Sequence, residues 1–290
     1  MKINCNLEKL LAAFQTAAMF APGRSPKAIL QNVKLIANPE QVTLMATDME
    51  VGVRVKAEGI EVESAGAAVL PVGHFGAILR ESNDEFLTLE TNESGTTVRG
   101  ARSEFKLPGA DPDEFPNIAD FDATSFHALP ARVFKEMIQR TEFATEVESS
   151  RYALGGILLE FEPSQITAVG TDGRRLARII APAESVEGHK GGESNTIVRT
   201  QSMRLIGRAL SDSDEYVHLA GRNNDIVIRT PRASYYSRLV EGRFPRWRDV
   251  FPQREDSAKV NLTVGPFHSA LKQAAIACNN DSRGIDCTLE

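Results

Sequence analysis

Apolar residues recur with helical spacing in two separate parts of the chain. Residues three and four positions apart lie on one face of an α-helix, so each group predicts a helix with one buried face. The groups are Leu7, Leu10, Leu11 and Phe14, and Phe134, Met137, Ile138 and Thr141.

Short runs rich in β-branched and aromatic residues follow each predicted helix, which is the pattern of strands. They span 33–35 and 41–44 in the first half, and 157–161 and 165–169 in the second half. A second helix and three further strands are predicted to close each half. These helices span 71–79 and 199–207, and the closing strands span 86–90, 96–100, 104–107, 216–220, 225–230 and 234–239. Helices beside antiparallel strands indicate an α+β fold.

The two halves are copies of one sequence unit. An offset of 124 residues aligns 10–54 with 134–178 without a gap, and ten of the 45 aligned positions are identical. About three identities are expected by chance at the usual residue frequencies. A shared order of helices and strands would preserve apolar positions but not a string of identical polar residues. That string is Pro39, Gln41, Thr43, Thr47 and Asp48, repeated at Pro163, Gln165, Thr167, Thr171 and Asp172.

The repeat divides the chain into two complete domains and the start of a third. The predicted domains are residues 1–120 and 125–252, followed by an incomplete copy at 257–290. The third copy begins with a helix at 267–275, and residues 283–285 parallel the strand start at 155–157. Repeats of this kind indicate a tandem array in which each unit packs against the next.

Composition narrows the function classes. The net charge of −6 and the hydrophobic fraction of 42% are those of an ordinary globular protein. No run approaches the ~18 apolar residues of a membrane helix, and three widely spaced cysteines fit a reducing compartment. We therefore expect a cytoplasmic protein without a membrane partner. The five histidines have no metal-ligand spacing, so neither a metal nor a cofactor is expected.

The repeated carboxylates Asp48 and Asp172 allow two interpretations. As a pair they could serve a metal-dependent hydrolase or nuclease. Each follows a strand and precedes a turn, however, where an aspartate caps the turn by accepting hydrogen bonds from backbone N–H groups. Capping explains both copies and is the preferred interpretation, so the chain is expected to be non-catalytic.

Positive charge is clustered locally although the chain as a whole is acidic. A solvated face is the ordinary explanation for any one basic helix. Similar positions in several repeats would place such charges on one surface, and cations without interleaved aromatic residues suit sequence-independent phosphate contact. The candidate DNA-binding residues are Arg24, Lys27, Arg132, Arg140, Arg199, Arg204 and Arg208.

Four stretches combine small, apolar and charged residues in unusual strings. They are 23–26 with 29–32, 46–50, 170–176 and 239–245. The strings Thr171-Asp172-Gly173-Arg174-Arg175-Leu176 and Gly242-Arg243-Phe244-Pro245 are specific when they occur together. With them the chain resembles, along its whole length, the bacterial DNA sliding clamps, the beta subunit of DNA polymerase III. The resemblance implies tandem clamp domains with helices on the inner concave face and antiparallel sheets outside.

The resemblance also implies a function and its sites. A clamp encircles duplex DNA as a homodimeric ring and docks the replicative polymerase, the clamp loader and repair proteins through short linear peptides. The implied peptide-binding cleft uses Leu154, Thr171, Gly173, Arg174, Arg175, Leu176, Pro245 and Val250, and the implied dimer interface uses Phe105, Leu107 and Ile276. A peptide-binding scaffold without a DNA role is a further hypothesis. The chain as given is expected to be monomeric or weakly associated, because a one-strand third copy cannot bury a core of its own.

Overall fold

The computed structural model describes residues 1–146, 152–192, 195–251, 259–278 and 284–288. The chain forms two compact units, Met1–Pro245 and Arg246–Glu290. The larger unit contains both predicted copies, and its organisation positions the candidate sites.

The first copy alternates strands with two helices. Its strands are β1 (Lys2–Asn6), β2 (Asn32–Ala37), β3 (Val42–Thr47), β4 (Val51–Ala57), β5 (Ile60–Ser64), β6 (Gly66–Pro71), β7 (Phe86–Asn92), β8 (Gly95–Arg99) and β9 (Glu104–Pro108). Helix α1 (Leu7–Ala18) follows β1, and helix α2 (Val72–Glu81) follows β6. Asn6 starts α1, because its side-chain oxygen accepts a hydrogen bond from the Lys9 N–H at 3.1 Å.

The second copy repeats this order element by element. Its strands are β10 (Phe126–Pro130), β11 (Gly156–Glu162), β12 (Gln165–Thr171), β13 (Leu176–Pro182), β14 (Glu184–Val186), β15 (Thr196–Arg199), β16 (Tyr216–Gly221), β17 (Asp225–Arg229) and β18 (Ala233–Arg238). Helix α3 (Ala131–Gln139) follows β10, and helix α4 (Thr200–Ala209) follows β15. The predicted duplication is therefore confirmed, as are the four predicted helices and the closing strands of each copy.

Several strands were not predicted from the sequence, among them β1, β5, β10 and β14. Strand β1 alternates half-buried and buried residues over only five positions, and β14 has three residues. Runs this short contain too few alternations to separate a strand from a loop. Their pairing partners lie far along the chain, so tertiary contacts decide their conformation.

The strands pair in three antiparallel sheets. Their orders are β5-β1-β7-β8-β9, β14-β10-β16-β17-β18-β4-β3-β2-β6 and β13-β12-β11-β15. The nine-stranded sheet passes from one copy to the other where β18 pairs with β4, from Ala233 opposite Val55 to Ser237 opposite Val51. This seam makes the outer sheet continuous across the two copies.

Tyr235 places the helices of both copies on one face of that sheet. Its side chain on β18 is 1% exposed. The hydroxyl donates a hydrogen bond of 3.4 Å to the carbonyl of Ala209, the last residue of α4. Its ring centroid lies 5.8 Å from that of Phe20, just beyond the end of α1. One side chain thus touches the helical layer of each copy, and one hydrophobic core extends through both.

The smaller unit contains the start of the predicted third copy. Helix α5 (Val264–Ile276) covers the predicted helix at 267–275, and none of its residues is buried. The predicted strand near 283–285 is not confirmed. Arg283 lies outside the described residues, and residues 284–288 have no regular secondary structure.

A buried histidine pair joins two sheets of the second copy. Nδ1 of His127 on β10 lies 2.8 Å from Nδ1 of His189. The Nε2 atom of His127 lies 2.8 Å from the Glu162 carbonyl on β11, and that of His189 lies 3.4 Å from the Gly221 carbonyl on β16. Two neutral rings carry two N–H protons, which is enough for the two shorter contacts, and the 3.4 Å contact is the longest of the three. The geometry fits an uncharged pair.

We predict that this pair makes the fold less stable in mild acid. Burial lowers the pKa of His127 and of His189 below the ordinary 6.5. The unfolded chain therefore binds protons near pH 6.5 that the folded chain does not, and stability falls as the pH decreases below that value. Urea unfolding at pH 7.5 and 5.5 should show a lower free energy of unfolding at pH 5.5. His127→Asn should reduce this dependence, whereas a change of the exposed His74 to Asn should preserve it; equal dependence in both variants would contradict the assignment.

Candidate nucleic-acid and peptide interfaces

Helices α3 and α4 pack side by side and enclose a groove of ≈ 520 Å³. Gly207 of α4 faces Ile138 of α3, and a Cβ atom built at Gly207 would lie 3.4 Å from Ile138 Cδ1, in van der Waals contact. The apolar side chains of Ile138 and Leu205 line the groove between the cations Lys135, Arg204 and Arg208. The arrangement offers a shallow basic surface on the helical side of the second copy.

The predicted cations differ in whether they have an acidic partner. Arg140 binds Glu136 at 2.7 Å, Arg204 binds Glu142 at 3.1 Å, and Arg199 lies 3.6 Å from Glu50 of the first copy. These pairs are partly exposed, so each stabilises the fold by about 1 kcal/mol or less. Among the predicted DNA contacts, four are exposed and have no ion pair to any described residue: Arg24, Lys27, Arg132 and Arg208.

The basic surface is not repeated in the first copy, contrary to the expectation of equivalent charges in several repeats. Glu8 takes the place of Arg132 in α1, and Gly76 takes the place of Arg204 in α2. Arg80 alone matches a predicted cation, Arg208. Sequence analysis did not name Arg80, which lies one residue beyond the helix predicted at 71–79, whereas α2 extends to Glu81.

The repeated aspartates cap two equivalent turns. Oδ1 of Asp48 accepts hydrogen bonds of 2.9 and 2.8 Å from the backbone N–H groups two and three residues ahead. Oδ1 of Asp172 accepts the same two bonds, both at 2.9 Å. Burial alone would raise the pKa of Asp172, but these N–H groups and the Arg175 side chain hold it below its ordinary value. Both carboxylates therefore serve as caps of their own turns.

The hydrolase hypothesis gains no support from these carboxylates. Among the described residues, no group of three histidine, cysteine, aspartate or glutamate side chains could hold a metal ion. Asp48 and Asp172 each serve their own turn, and the capping interpretation accounts for both.

The turn after Asp48 carries backbone strain that the second copy avoids. Met49 has a φ of 81°, and the equivalent Gly173 has a φ of 86°. A left-handed conformation costs a residue with a side chain about 1 kcal/mol. We expect Met49→Gly to raise the free energy of unfolding by about 0.5 kcal/mol and Gly173→Ala to lower it by about 1 kcal/mol. Urea unfolding measures both, with Gly23→Ala as a control at a glycine with open space around it; opposite signs would contradict the strain.

The turn at 171–176 lies at one end of the four-stranded sheet. The register that pairs Leu158 with Val169 brings Leu154 and Thr171 to that end. Leu154 and Thr171 are 6% and 5% exposed, and Leu176 is half-buried. Gly173, Arg174, Arg175 and Pro245 are exposed. Most of the predicted cleft residues thus combine a buried apolar floor with exposed arginines.

Val250 is the one predicted cleft residue of the smaller unit. It closes a short 3-10 helix, Trp247–Val250, and is 67% exposed. Trp247 beside it is buried, and the Arg248 guanidinium lies 4.2 Å from the tryptophan ring centroid. An exposed aliphatic side chain next to an ordered tryptophan suits a contact with a partner.

Comparison with known protein families decides between the hypotheses. The family model of the DNA polymerase III beta subunit, N-terminal domain, matches residues 1–119. The model of the central domain of the same subunit matches residues 128–246. The chain belongs to the DNA polymerase III beta-subunit family. It is a sliding clamp, a non-catalytic accessory protein of that polymerase, and the predicted class of function is confirmed.

Individual relatives agree with the family. The beta sliding clamp of Pseudomonas putida is 28% identical over 291 residues, covering 98% of this chain and 77% of the relative. That of Halalkalibacterium halodurans is 26% identical over 261 residues, covering 87% and 68%. The Bacillus subtilis clamp structure superimposes with a TM-score of 0.89 at 22% identity, covering 97% and 75%. A Pseudomonas aeruginosa clamp bound to griselimycin gives 0.86 at 25% identity, covering 98% and 76%. The predicted clamp fold is confirmed.

The predicted dimer-interface residues of this family member have different surroundings. Phe105 is 39% exposed on β9, the last strand of its sheet. Leu107 on the same strand is 6% exposed and packs in the core, so little of it is available to a partner. Ile276 ends α5 in the smaller unit and is 87% exposed.

Membrane insertion of this family member through a helix has no support. Within the described part of the chain, every helix is too short or too polar to cross a lipid bilayer.

Proposed function

We propose that this clamp slides along duplex DNA through the helical face of its second copy, together with Arg24 and Lys27 of the first copy. The observation that carries the proposal is the α3–α4 groove with its basic residues. Phosphate contacts are electrostatic and independent of sequence, so they hold DNA without fixing the protein at one site. The proposed contacts are Arg24, Lys27, Arg132, Arg140, Arg199, Arg204 and Arg208.

We further propose that partners dock as short linear peptides at the 171–176 turn. The replicative polymerase, the clamp loader and repair proteins are the proposed partners. A rigid turn with a buried floor can bind apolar peptide anchors, and exposed arginines can orient them. Docking tethers an enzyme to DNA and raises its effective concentration there. The proposed cleft is Leu154, Thr171, Gly173, Arg174, Arg175, Leu176, Pro245 and Val250.

The complete ring is proposed to be a head-to-tail homodimer. Strand β9 presents Phe105 at an edge that pairs with no other described strand, and unpaired edges favour strand addition. Unlike surfaces that meet head to tail close a ring when the rotation permits. Phe105, Leu107 and Ile276 are the proposed interface residues. We also propose that the domains span residues 1–120, 125–252 and 257–290. The proposed location of the protein is the cytoplasm.

A processivity assay tests the proposal. A bacterial replicative polymerase with its clamp loader should make longer products per binding event on primed circular DNA when the protein is added. Leu176→Asp should remove this effect because a carboxylate would be placed at the apolar floor. Unchanged product lengths with the unmodified protein would contradict the proposal.

A further inference from the structure

Phe143 exposes an aromatic ring on a turn whose other side chains are mostly buried. The ring lies in the short 3-10 helix Glu142–Ala144, directly after α3, and is 55% exposed. The neighbouring Thr141 and Ala144 are fully buried, and Thr145 is 4% exposed. A large apolar side chain held outward on a buried support is unusual on a free surface and typical of a binding site.

The turn is fixed on both sides to elements of the proposed cleft. The backbone N–H of Glu146 donates a 2.9 Å hydrogen bond to the carbonyl of Leu154. On the other side, the Thr141 carbonyl lies so close to Gly170 that a Cβ atom there would be 2.3 Å from it. The Thr200 hydroxyl also donates to that of Thr145 at 2.9 Å. The segment that carries Phe143 is therefore tied to Leu154 on one side and to Gly170, the residue before the 171–176 turn, on the other.

The charged groups near the ring already have partners. The Arg175 guanidinium lies 5.9 Å from the centre of the Phe143 ring and binds the Asp172 carboxylate at 2.9 Å. Glu142, the residue before Phe143, binds Arg204 at 3.1 Å. A further carboxylate from a peptide would gain little from arginines that are already paired. The Phe143 ring, by contrast, is still 55% exposed beside that guanidinium.

We propose that Phe143 forms a wall of the peptide cleft and contacts an apolar side chain of the docked peptide. The inference rests on the proposed peptide docking and adds a specificity-determining residue to that site. An aromatic or leucine side chain fits the ring, because apolar contact on a rigid aromatic surface costs little conformational entropy. The Arg175 guanidinium, which binds the Asp172 carboxylate, lies near the Phe143 ring on one side of this wall.

Peptide binding to matched variants tests the wall. The probe is a fluorescent pentapeptide, Gln-Leu-Ala-Leu-Phe, followed by fluorescence anisotropy. Phe143→Ala should raise the dissociation constant about tenfold, as loss of a central aromatic contact does. Phe143→Leu should preserve most of the affinity. Phe86→Ala removes a ring of 58% exposure on β7 and should leave the affinity unchanged. Thermal unfolding of Phe143→Ala should match that of the unmodified protein, because the ring is exposed.

A second peptide separates contact from indirect effects. The terminal apolar residue is removed in Gln-Leu-Ala-Leu-Ala. If the wall contacts that residue, Phe143→Ala should weaken this peptide much less than the first one. Equal dissociation constants of the first peptide for Phe143→Ala and the unmodified protein would overturn the wall and leave peptide docking standing. If the unmodified protein binds neither peptide, peptide docking and the wall are both overturned.

Discussion

Replacing Arg132 and Arg208 together by glutamine is expected to weaken association with duplex DNA by roughly 10- to 100-fold at 0.1 M salt. Both side chains are exposed on the helical face and have no ion pair with a described residue. Each phosphate contact releases counterions, so loss of two contacts should reduce the slope of log affinity against log salt by about 2. Fluorescence anisotropy with a labelled duplex, measured across a range of salt concentrations, gives both quantities.

A charge-matched control distinguishes the helical face from net charge. Lys56 and Lys190 are exposed and lie on no helix, and changing both to glutamine removes the same two charges. This variant should bind DNA with nearly the affinity and salt slope of the unmodified protein. If both double variants lose affinity equally, DNA is attracted by the overall charge, and the proposed surface on α3 and α4 is wrong.

The sequence predicted which cations lie on the basic surface, but not which of them form ion pairs. Arg199, Arg204 and Arg208 look equivalent in the helical pattern, yet Arg199 lies near Glu50 and Arg204 binds Glu142. Both partners come from distant parts of the chain. The pattern predicts which residues are exposed on a helix, and the tertiary fold decides which of them keep an unpaired charge. Arg132 and Arg208, the predicted contacts on α3 and α4 that have no ion pair with a described residue, are therefore the sharper targets.

Much of the fold could be predicted from the sequence, because the duplication shows the same helix, strand and turn patterns twice. Identical residues at Thr47 and Thr171, with the aspartates that follow, predicted equivalent turns, and both turns have the same hydrogen bonds. The β18–β4 seam was not accessible, since it pairs Ala233 with Val55. Nothing in local periodicity selects a partner strand from another copy. Local periodicity also does not show which strand ends a sheet, so the exposure of Phe105 on β9 could not be predicted from the sequence.

The candidate cleft divides in a similar way. Its turn residues follow from the Thr-Asp-Gly string, because glycine at a positive φ and a capping aspartate are local requirements. Phe143 could not be selected, because a phenylalanine after an amphipathic helix ordinarily indicates core. Thr141, two residues before it, packs against Gly170, and this contact between segments distant in sequence has no local signal.

That packing leads to a large expected effect of a small substitution, Gly170→Ala. The added Cβ atom would lie 2.3 Å from the Thr141 carbonyl oxygen and 3.1 Å from Thr145 Cγ2. The oxygen cannot move freely, because it accepts a hydrogen bond from the Ala144 N–H at 3.1 Å. We expect the free energy of unfolding to fall by about 2–3 kcal/mol, as for overpacking of a rigid site. Urea unfolding measures this loss.

Gly73→Ala is the matched control, since nothing lies within 4 Å of a Cβ atom built at this glycine of α2. It should raise stability by up to about 1 kcal/mol, because alanine favours the helix over glycine. Gly170→Ala should also weaken binding of the Gln-Leu-Ala-Leu-Phe peptide at temperatures where the variant is folded, because relief of the clash separates the 141–145 turn from Thr171. A stable variant with unchanged peptide affinity would show that the two turns do not depend on each other. Loss of affinity in the folded state would connect this buried contact to the shape of the cleft.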